Sequence, residues 1–552
     1  MKNKTTFFIK GFAQLASLTF LSRITGFVRD IFIASFLGAG ILSDIFLIAF
    51  KLPNLFRRIT AEGALTSALL PMYVKLIEEK NKAFAIKFYK TIAVKVFIYL
   101  SILTIILQIV MPFVVYVLAP GFSDNTLVVN QIISLTRITV IFMPLISMVA
   151  ILGIITNVSG RFWPFAFTPI ILNFSLIIGC FFISDYWSIK SMPLSVATVL
   201  SGFLQLILML IVIKKYKILD ITKPNCNDVF VKDKDKDKDQ IKVYIKKTWR
   251  KFLPAAFGGG ILQINLLVDT ILASFLGFGS VSYLYFADRV AQLPLGIIGI
   301  ALGTSLLTSL SKSIAINDIK QFSIELIISL KIGLFFSIPA ALVFINFSDL
   351  IVSVLFERGK FGFEESNETA RALKAYALGI PAFIILKSCQ PAFLAEGNTK
   401  TPMYIGIILL ISNIIFSLIF MRYFNHAGIA LATSISSWIG CLIYICTLIK
   451  NGKILKPKLT FSHDTLNFFS VCIYFIKISL VSIFMIFIMK YFMYFSKIYN
   501  INEFWNLLIL IILGFSTYIL TSSLLSYIPR ELLNNKILKF KKDKKYNDNT
   551  SN

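Results

Sequence analysis

The chain has 552 residues, of which 57% are hydrophobic and 15% charged, and its mean hydropathy is +0.79. This composition excludes a soluble globular protein and indicates a polytopic membrane protein. The formal net charge of +27 does not indicate nucleic-acid binding, because the basic residues cluster between apolar segments, where they orient the chain in the bilayer.

Fourteen apolar segments predict fourteen transmembrane helices, since each is long enough for the roughly 20 residues that a span needs. Their length and continuity favour helices over the alternating strands of an outer-membrane barrel. The predicted spans are 8–37, 42–72, 91–118, 129–156, 163–184, 193–213, 250–277, 281–311, 322–346, 368–394, 402–422, 427–449, 466–494 and 504–528. Loops rich in Lys and Arg alternate with loops poor in them, which predicts cytoplasmic termini by the positive-inside rule.

An internal repeat predicts how these spans are grouped. ASFLGAG at 34–40 recurs as ASFLGFG at 273–279, and Asp30 falls on Asp269 at the same offset. Because six spans separate the copies, the repeat is parallel, and we expect two six-helix lobes around a central cavity plus two extra C-terminal helices. The predicted divisions are an N-terminal lobe 1–215, a disordered, charged cytoplasmic linker 216–248, a C-terminal lobe 249–450, the extra helices 451–528 and a basic cytoplasmic tail 529–552.

Charged residues inside otherwise apolar spans are the strongest sign of a functional site. A charge at membrane depth is costly unless it faces a wet cavity, a partner or a ligand. Asp44, Lys51 and Arg58 are spaced by seven residues, so they form one stripe on the second predicted helix. Pro53 lies within this stripe and Pro294 at the equivalent place in the second half, and each frees backbone carbonyls that are tolerated only towards a cavity.

Mutual salt bridges are one explanation of these charges, and for the acids it is the preferred one. The candidate pairs are Arg29 with Asp30 or Asp269, Lys51 with Asp44, and Arg58 with Glu62. The cations nevertheless outnumber the acids. The cations are Arg23, Arg29, Lys51, Arg57, Arg58, Arg289 and Lys387, and the acids are Asp30, Asp44, Glu62, Asp269 and Asp288. Surplus cation in a membrane cavity indicates an anionic ligand, and the planar fork of arginine suits phosphate.

Seven motifs, in order along nearly the whole chain, resemble the MurJ (MviN) family of the multidrug, oligosaccharidyl-lipid and polysaccharide exporter superfamily. They are SRITGFVRD, DIFLIAFKLPNLFRRITAEGA, APGF, NVSGRFWPFAFTPIILN, YFADRVAQLPLGIIGIALGTSLLTSLSK, LFERGKF and NTKTP. The resemblance implies fourteen helices, two lobes and a cationic cavity, with the extra helix pair forming a groove for a lipid tail. It further implies translocation of lipid II, the undecaprenyl-diphosphate-linked peptidoglycan precursor, across the bacterial inner membrane to the periplasmic leaflet.

The resemblance also implies roles for individual residues. We expect Arg23, Arg29 and Arg289 to bind the diphosphate, with Arg57 at or near the headgroup. Asp44 would shape or gate the cavity, and Lys51, Glu62 and Lys387 fall on charged positions of the family pattern. Some relatives have glutamate where this chain has Gln292, which weakens any mechanism that requires an acid there.

The expected mechanism is alternating access, with lipid II and membrane lipids as partners and no organic cofactor. Asp269, Asn413 and Thr433 would provide hard oxygen ligands for a sodium or proton coupling site. The membrane potential, worth about 2.3 kcal/mol per charge per 100 mV, is an alternative driver. The protein is expected to be a monomer, with association with the cell-wall synthesis machinery left open.

Two alternative functions remain. The first is a related exporter of drugs or other lipid-linked sugars, which the cationic first pair of helices disfavours. The second is a membrane glycan polymerase, an enzyme that would need a catalytic carboxylate, often with metal ligands, in a large periplasmic loop. The best such loop, 348–371, has five acids but no histidine and no recognised motif. The sequence therefore predicts a transporter.

The six cysteines show no metal-ligand spacing and are expected to be packing residues.

Overall fold

The structure, a computed structural model, describes residues 2–59, 65–219, 234–453 and 468–529. Within these residues the chain forms α-helices and no β-strand, apart from one isolated bridge between Arg358 and Phe361. The predicted all-α fold is confirmed. Glu62 and one of the six cysteines, Cys226, lie outside the described residues.

The described residues contain seventeen α-helices. They are α1 Lys2–Leu37, α2 Ile41–Ile59, α3 Leu65–Glu79, α4 Lys82–Leu118, α5 Thr126–Val140, α6 Phe142–Val158, α7 Trp163–Phe181, α8 Met192–Lys215, α9 Lys234–Ser274, α10 Ser280–Pro294, α11 Ile300–Ala315, α12 Ile319–Phe356, α13 Phe363–Ala377, α14 Ile380–Ala395, α15 Lys400–Lys450, α16 Phe468–Ile498 and α17 Glu503–Leu524. A 3₁₀ turn follows α4, and a π-helix, Leu295–Gly299, joins α10 to α11.

Within the described residues, eight helical segments are long and apolar enough to cross a membrane, or up to nine if the bent pair α13 and α14 forms one span. The chain is therefore a multi-pass membrane protein. Some other predicted spans consist of two shorter helices, since α2 and α3 cover the second and α10 and α11 the eighth. The count of fourteen stays a prediction.

Helix α15 contains a break at the boundary between two predicted spans. An unbroken helix of its 51 residues would be about 77 Å long, more than twice the roughly 30 Å hydrocarbon core. Asn425 has φ 50° and ψ −135°, which places it outside the helical region. The backbone therefore divides α15 into two parts, each with enough residues to cross. A similar break in α12, at Phe347, lies next to the predicted end of a span at residue 346.

Helix α9 begins inside the predicted linker, so the expectation of disorder is wrong for residues 234–248. Ile241, Ile245 and Thr248 are buried and lie on one helical face, and α9 packs against α3 and α4. This apolar stripe gives an otherwise charged segment a surface to bury, which stabilises a helix more than its local propensity does. Residues 220–233 of the linker lie outside the described part of the chain.

The chain forms two compact units. The first comprises the described residues of Met1–Phe286, Leu355–Glu368 and Met421–Ile429, and the second those of Ala287–Val354, Thr369–Phe420 and Ala430–Asn552. The predicted division into lobes, linker and tail stays a prediction.

The first unit has an interior pair of helices and an apolar outer surface. The most apolar 18-residue window of α5 and α6 is 83% buried, whereas that of α4 is 17% buried although its hydropathy is nearly as high. An exposed apolar helix is stable only against lipid. We therefore assign α4 to the lipid-facing surface and α5 with α6 to the interior, where both pack against α2.

Candidate functional site

The side chain of Arg29 is the centre of a polar cluster in the first unit. On α1, its Nε and Nη2 atoms donate to Asp30 Oδ1 at 3.0 and 2.7 Å. Its Nη1 donates to Asn173 Oδ1 on α7 at 3.0 Å, and its Nη2 also donates to the Tyr285 hydroxyl on α10 at 3.3 Å. That hydroxyl donates in turn to Asp30 Oδ1 at 2.9 Å. Three helices thus hold one guanidinium in place.

Asn173 fixes the cluster to the backbone of α1. Its Nδ2 donates to the Ser22 carbonyl and to Thr25 Oγ1, both at 3.0 Å. Gly26 lies beside this amide, since a Cβ there would be in ordinary van der Waals contact with Asn173 Nδ2 at 3.4 Å. The amide nitrogen is occupied on α1, so the amide oxygen is directed to Arg29.

The charges of Arg29 and Asp30 cancel, but one N–H group of Arg29 is not used by the hydrogen bonds described above. The Arg29 side chain is 12% exposed and that of Asp30 is 2% exposed, so the acid is enclosed while the guanidinium reaches the edge of the buried region. Arginine has five N–H groups, and the bonds above use four of them. The arrangement can present one further N–H of Nη1 to an anionic oxygen.

Asp44 is bonded to the start of α10. Its carboxylate accepts from the backbone N–H of Gly279 at 2.6 Å and of Ser282 at 2.8 Å, and from the Ser282 hydroxyl. Asp44 is fully buried and lies in the first turn of α2. The first N–H groups of a helix lack intrahelical partners, and a carboxylate there also interacts favourably with the helix dipole. Asp44 therefore caps α10 from another helix, and its predicted pair with Lys51 stays a prediction.

The other cations of the first unit that the sequence predicts for the site lie on α1 and α2. Arg23 is exposed, and Lys51 and Arg57 are half-buried. Arg57 Nε donates to Asn54 Oδ1 at 3.1 Å within α2. Arg58 Nη1 donates to Gln263 Oε1 on α9 at 3.3 Å, whereas its predicted partner Glu62 lies outside the described residues.

In the second unit, Arg289 and Lys387 lie on α10 and α14. Arg289 is half-buried, and its Nη2 is 3.7 Å from Asp288 Oδ2, which also accepts from Gln292 Nε2. Lys387 is exposed, and a Cβ added at Gly299 would lie 3.6 Å from its Cγ. The end of the π-helix therefore lies close to α14.

The residues proposed for ion coupling fall in different units. Thr433 Oγ1 donates to Asn413 Oδ1 at 3.3 Å in the second unit, whereas Asp269 is a buried residue of the first. Among the described residues, no group of three or more His, Cys, Asp or Glu side chains could hold a metal ion. The five described cysteines are free thiols. The coupling site stays a prediction.

Sequence reasoning missed three residues that organise these sites. Asn173 and Tyr285 lie within motifs quoted above, but neither was assigned a role, and Ser282 lies outside them. The repeat contained a usable signal for Ser282, because residues 43 and 282 are both serine at the same offset as the two glycine turns. Asn173, an amide within an apolar span, was also detectable, since polar groups there need a partner.

Comparison with known proteins gives a consistent result. A family profile described as lipid II flippase MurJ matches residues 33–515. The chain is 38% identical over 432 residues to the probable lipid II flippase MurJ of Rickettsia prowazekii, covering 77% of this chain and 80% of that protein. It is 33% identical over 449 residues to the probable lipid II flippase MurJ of Rhizobium meliloti, covering 80% and 81%.

Solved structures extend the likeness to the fold. A lipid II flippase MurJ in an inward closed conformation is 29% identical and superposes with a TM-score of 0.75, covering 94% of this chain and 99% of that one. An inward-facing multidrug transporter of the MATE family is 13% identical, with a TM-score of 0.64 over 80% of this chain and 99% of that one. The second likeness concerns the fold alone.

Proposed function

This chain belongs to the MurJ family of lipid II flippases, and from this premise we propose that it moves lipid II from the cytoplasmic to the periplasmic leaflet by alternating access. It is a transporter and not an enzyme, so the glycan polymerase alternative is rejected. The family match covers most of the chain and also disfavours an exporter of drugs or other lipid-linked sugars.

The Arg29 cluster is the observation that supports this function best. A flippase for a diphosphate lipid needs a cation that is stable in an apolar helix without a ligand and still offers hydrogen bonds to one. Asp30 compensates the charge of Arg29, Asn173 and Tyr285 orient the guanidinium, and one N–H of Nη1 is left for a phosphate oxygen. Such charge-assisted bonds are roughly twice as strong as neutral ones.

A diphosphate beside Asp30 would meet like charge, so Arg29 cannot hold it alone. We therefore propose that further cations supply the missing charge. From the family pattern these are Arg23 and Arg289 at the diphosphate and Arg57 at or near the headgroup. Lys51, Glu62 and Lys387 would contribute to the charge of the cavity wall.

Asp44 has a different role in this proposal. Its carboxylate joins α2 to the first turn of α10 through backbone donors. Alternating access requires some helix contacts to persist and others to break. We propose that this cap is one of the contacts that define a single conformational state, which would make Asp44 a gating residue.

The remaining features of the proposal follow from the sequence and the family. They are fourteen spans in two repeated lobes, cytoplasmic termini, an inner-membrane location, a tail groove along α16 and α17, a monomeric protein and coupling to sodium, protons or the membrane potential. Association with the cell-wall synthesis machinery is compatible with this function.

The decisive experiment is replacement of the native flippase in a depleted bacterial cell, with lipid II accessibility measured at the outer leaflet. We expect the chain to restore accessibility and growth. Arg29→Lys should fail to restore them, because a lysine keeps the charge but loses the fork that reaches both Asp30 and Asn173. Arg137→Ala is the matched control, since Arg137 is exposed on α5. Insertion of the wild-type chain without restored accessibility would refute the flippase assignment.

A further inference from the structure

The turn LFERGKF, residues 355–361, connects α12 to α13 and lies outside the Arg29 and Asp44 sites. The segment Leu355–Glu368 belongs to the first unit, although the residues on either side of it belong to the second. Its contacts within the first unit therefore indicate what the turn does.

The turn interlocks with the backbone at the end of α1. The Lys360 N–H donates to the Ser35 carbonyl at 2.8 Å. Gly359 has φ +61°, and a Cβ there would collide with the same carbonyl oxygen. Gly38 has φ +75°, and a Cβ there would lie 2.7 Å from the Lys360 carbonyl oxygen. Glycine fits both positions because each combines a positive φ with a close backbone approach.

Two phenylalanines of the turn anchor it between α1 and α10. Phe356 and Phe361 are fully buried. The centroid of the Phe356 ring lies 6.1 Å from that of Phe27 on α1 and 5.3 Å from that of Phe286 on α10. The Phe361 ring lies 5.6 Å from the Phe286 ring. Aromatic pairs at these separations attract each other, so the turn holds α1 and α10 together.

A second contact holds the far end of the segment. The buried His426, next to the break in α15, has its Nε2 atom 2.9 Å from the Glu368 carbonyl oxygen. Since a carbonyl oxygen can only accept, this hydrogen bond requires a proton on Nε2. The His426 ring also lies 5.1 Å from the Tyr283 ring on α10. All of these residues belong to the first unit.

The turn contacts the two helices that carry the Arg29 cluster. Phe27 is two residues before Arg29 on α1. Phe286 follows Tyr285, whose hydroxyl donates to Asp30. Because the turn contacts both helices, α1 and α10 cannot separate at this end while the contacts above are intact. Under the proposed topology this end is periplasmic.

We propose that the turn 355–361 is a latch, which holds α1 and α10 together at their periplasmic end and is released when the Arg29 site opens to the periplasm. The release rests on the proposed alternating access, whereas the closed latch does not. Glu357, Arg358 and Lys360 are exposed, so within the turn mainly the two phenylalanines leave a buried position when it lifts. Local opening of this kind is the usual way in which a short segment gates a site.

A reducible bismaleimide crosslink between Ser35→Cys and Lys360→Cys, in an otherwise cysteine-free full chain, tests the latch. The two positions are adjacent, because a hydrogen bond joins their backbones, and a cysteine at 360 keeps the N–H that donates. Transport is measured as lipid II accessibility at the outer leaflet. We expect the crosslink to abolish transport and its reduction to restore it, while each single-cysteine variant treated in the same way transports normally. A crosslinked protein that transports at the rate of the uncrosslinked one would overturn the proposal.

Labelling of Ser35→Cys with an impermeant maleimide tests the latch without transport. The closed turn covers this position, since a Cβ at Gly359 would lie 2.7 Å from Ser35 Oγ. Gly359→Ala prevents closure and should speed labelling about tenfold. Gly397→Ala is the matched control, because Gly397 has φ +73° with open space around it, and it should leave the rate unchanged.

The two measurements separate the latch from the proposed function. Equal labelling rates with and without Gly359→Ala would overturn the latch, whatever the chain transports. Faster labelling of Gly359→Ala, in a chain that does not transport lipid II even without the crosslink, would keep the latch and refute the flippase assignment. If Gly359→Ala is not folded, Phe361→Leu, which removes one ring from the contact, should speed labelling about threefold, and an unchanged rate would overturn the latch.

Discussion

Asp44 and Arg29 are both charged residues of apolar helices in the first unit, but their partners differ in kind. Asp44 is fully buried and accepts from two backbone N–H groups and one hydroxyl. Arg29 is 12% exposed, and all four of its bonds go to side chains. Backbone donors at a helix start cannot turn away, whereas side chains can exchange partners.

This difference separates two uses of charge within a membrane protein. The Asp44 carboxylate satisfies donors that would otherwise be buried without acceptors, so its contribution is to stability and to the choice of conformation. The Arg29 guanidinium is held by side chains, and an anionic ligand can replace some of them as its hydrogen-bond partners. We therefore expect substitutions at the first site to affect folding most, and balanced substitutions at the second to affect ligand binding most.

The largest effect on stability is expected for Asp44→Ala. It leaves the Gly279 and Ser282 N–H groups without their acceptor, and each buried unsatisfied donor costs about 1–3 kcal/mol. Thermal unfolding in detergent should show a loss of about 3 kcal/mol or more. Asp124→Ala, at an exposed acid of the same unit, should change stability by no more than about 0.5 kcal/mol. A stable Asp44→Ala protein would show that the cap is dispensable.

The second largest effect is expected for Arg29→Ala, and a compensating change should remove it. The substitution leaves Asp30 enclosed without its counter-charge, which costs about 3 kcal/mol. Arg29→Gln/Asp30→Asn removes both charges, so its unfolding temperature should return close to that of the wild type. If the double variant is as unstable as Arg29→Ala, the two residues are not coupled as the structure indicates.

A smaller effect is expected at the glycine turns that precede the two helices joined by Asp44. Gly38 has φ +75°, and a Cβ there would lie 2.7 Å from the Lys360 carbonyl oxygen. Gly277, its counterpart in the repeat, has φ +94° with open space around it. Both substitutions strain the backbone at a positive φ, but only an alanine at residue 38 also collides with a carbonyl oxygen. Gly38→Ala should therefore lower the free energy of unfolding by about 2 kcal/mol and Gly277→Ala by about 1 kcal/mol. Equal unfolding temperatures would contradict this difference.

The smallest effect is expected for Ser282→Ala. It removes one of the three bonds to Asp44 but leaves both backbone donors in place. The free energy of unfolding should fall by about 1 kcal/mol, well below the loss for Asp44→Ala. A loss as large as that of Asp44→Ala would mean that the hydroxyl, and not the backbone, is the main partner of the carboxylate.

The sequence predicted the helical fold and several helix ends because hydrophobic length and charge act locally. The break at Asn425 falls between two predicted spans, and the break at Phe347 follows the predicted end of another. The start of α9 was not predicted, because the charged run KDKDKDKD at 232–239 dominates the local pattern, whereas the short apolar stripe after it is stabilised by packing against α3 and α4. The π-helix after Pro294 likewise depends on contacts that a local pattern does not contain.

The pairing of charges was only partly predictable. The Arg29–Asp30 pair was among the candidate salt bridges, because adjacent opposite charges in an apolar span have few other partners. The partners of Asp44 were not predicted, since backbone N–H groups have no signature in a sequence and Gly279 is 235 positions away. Residue type thus indicates where charge is placed but not whether its partner is a side chain or the backbone.

The proposed role of Arg29 is to bind the diphosphate of lipid II. The most direct measurement is the affinity of purified Arg29→Gln/Asp30→Asn for lipid II, compared with the wild type and with Arg137→Ala. We predict that the double variant is folded and binds at least tenfold more weakly, while Arg137→Ala binds as the wild type does. A folded double variant with wild-type affinity would contradict the account.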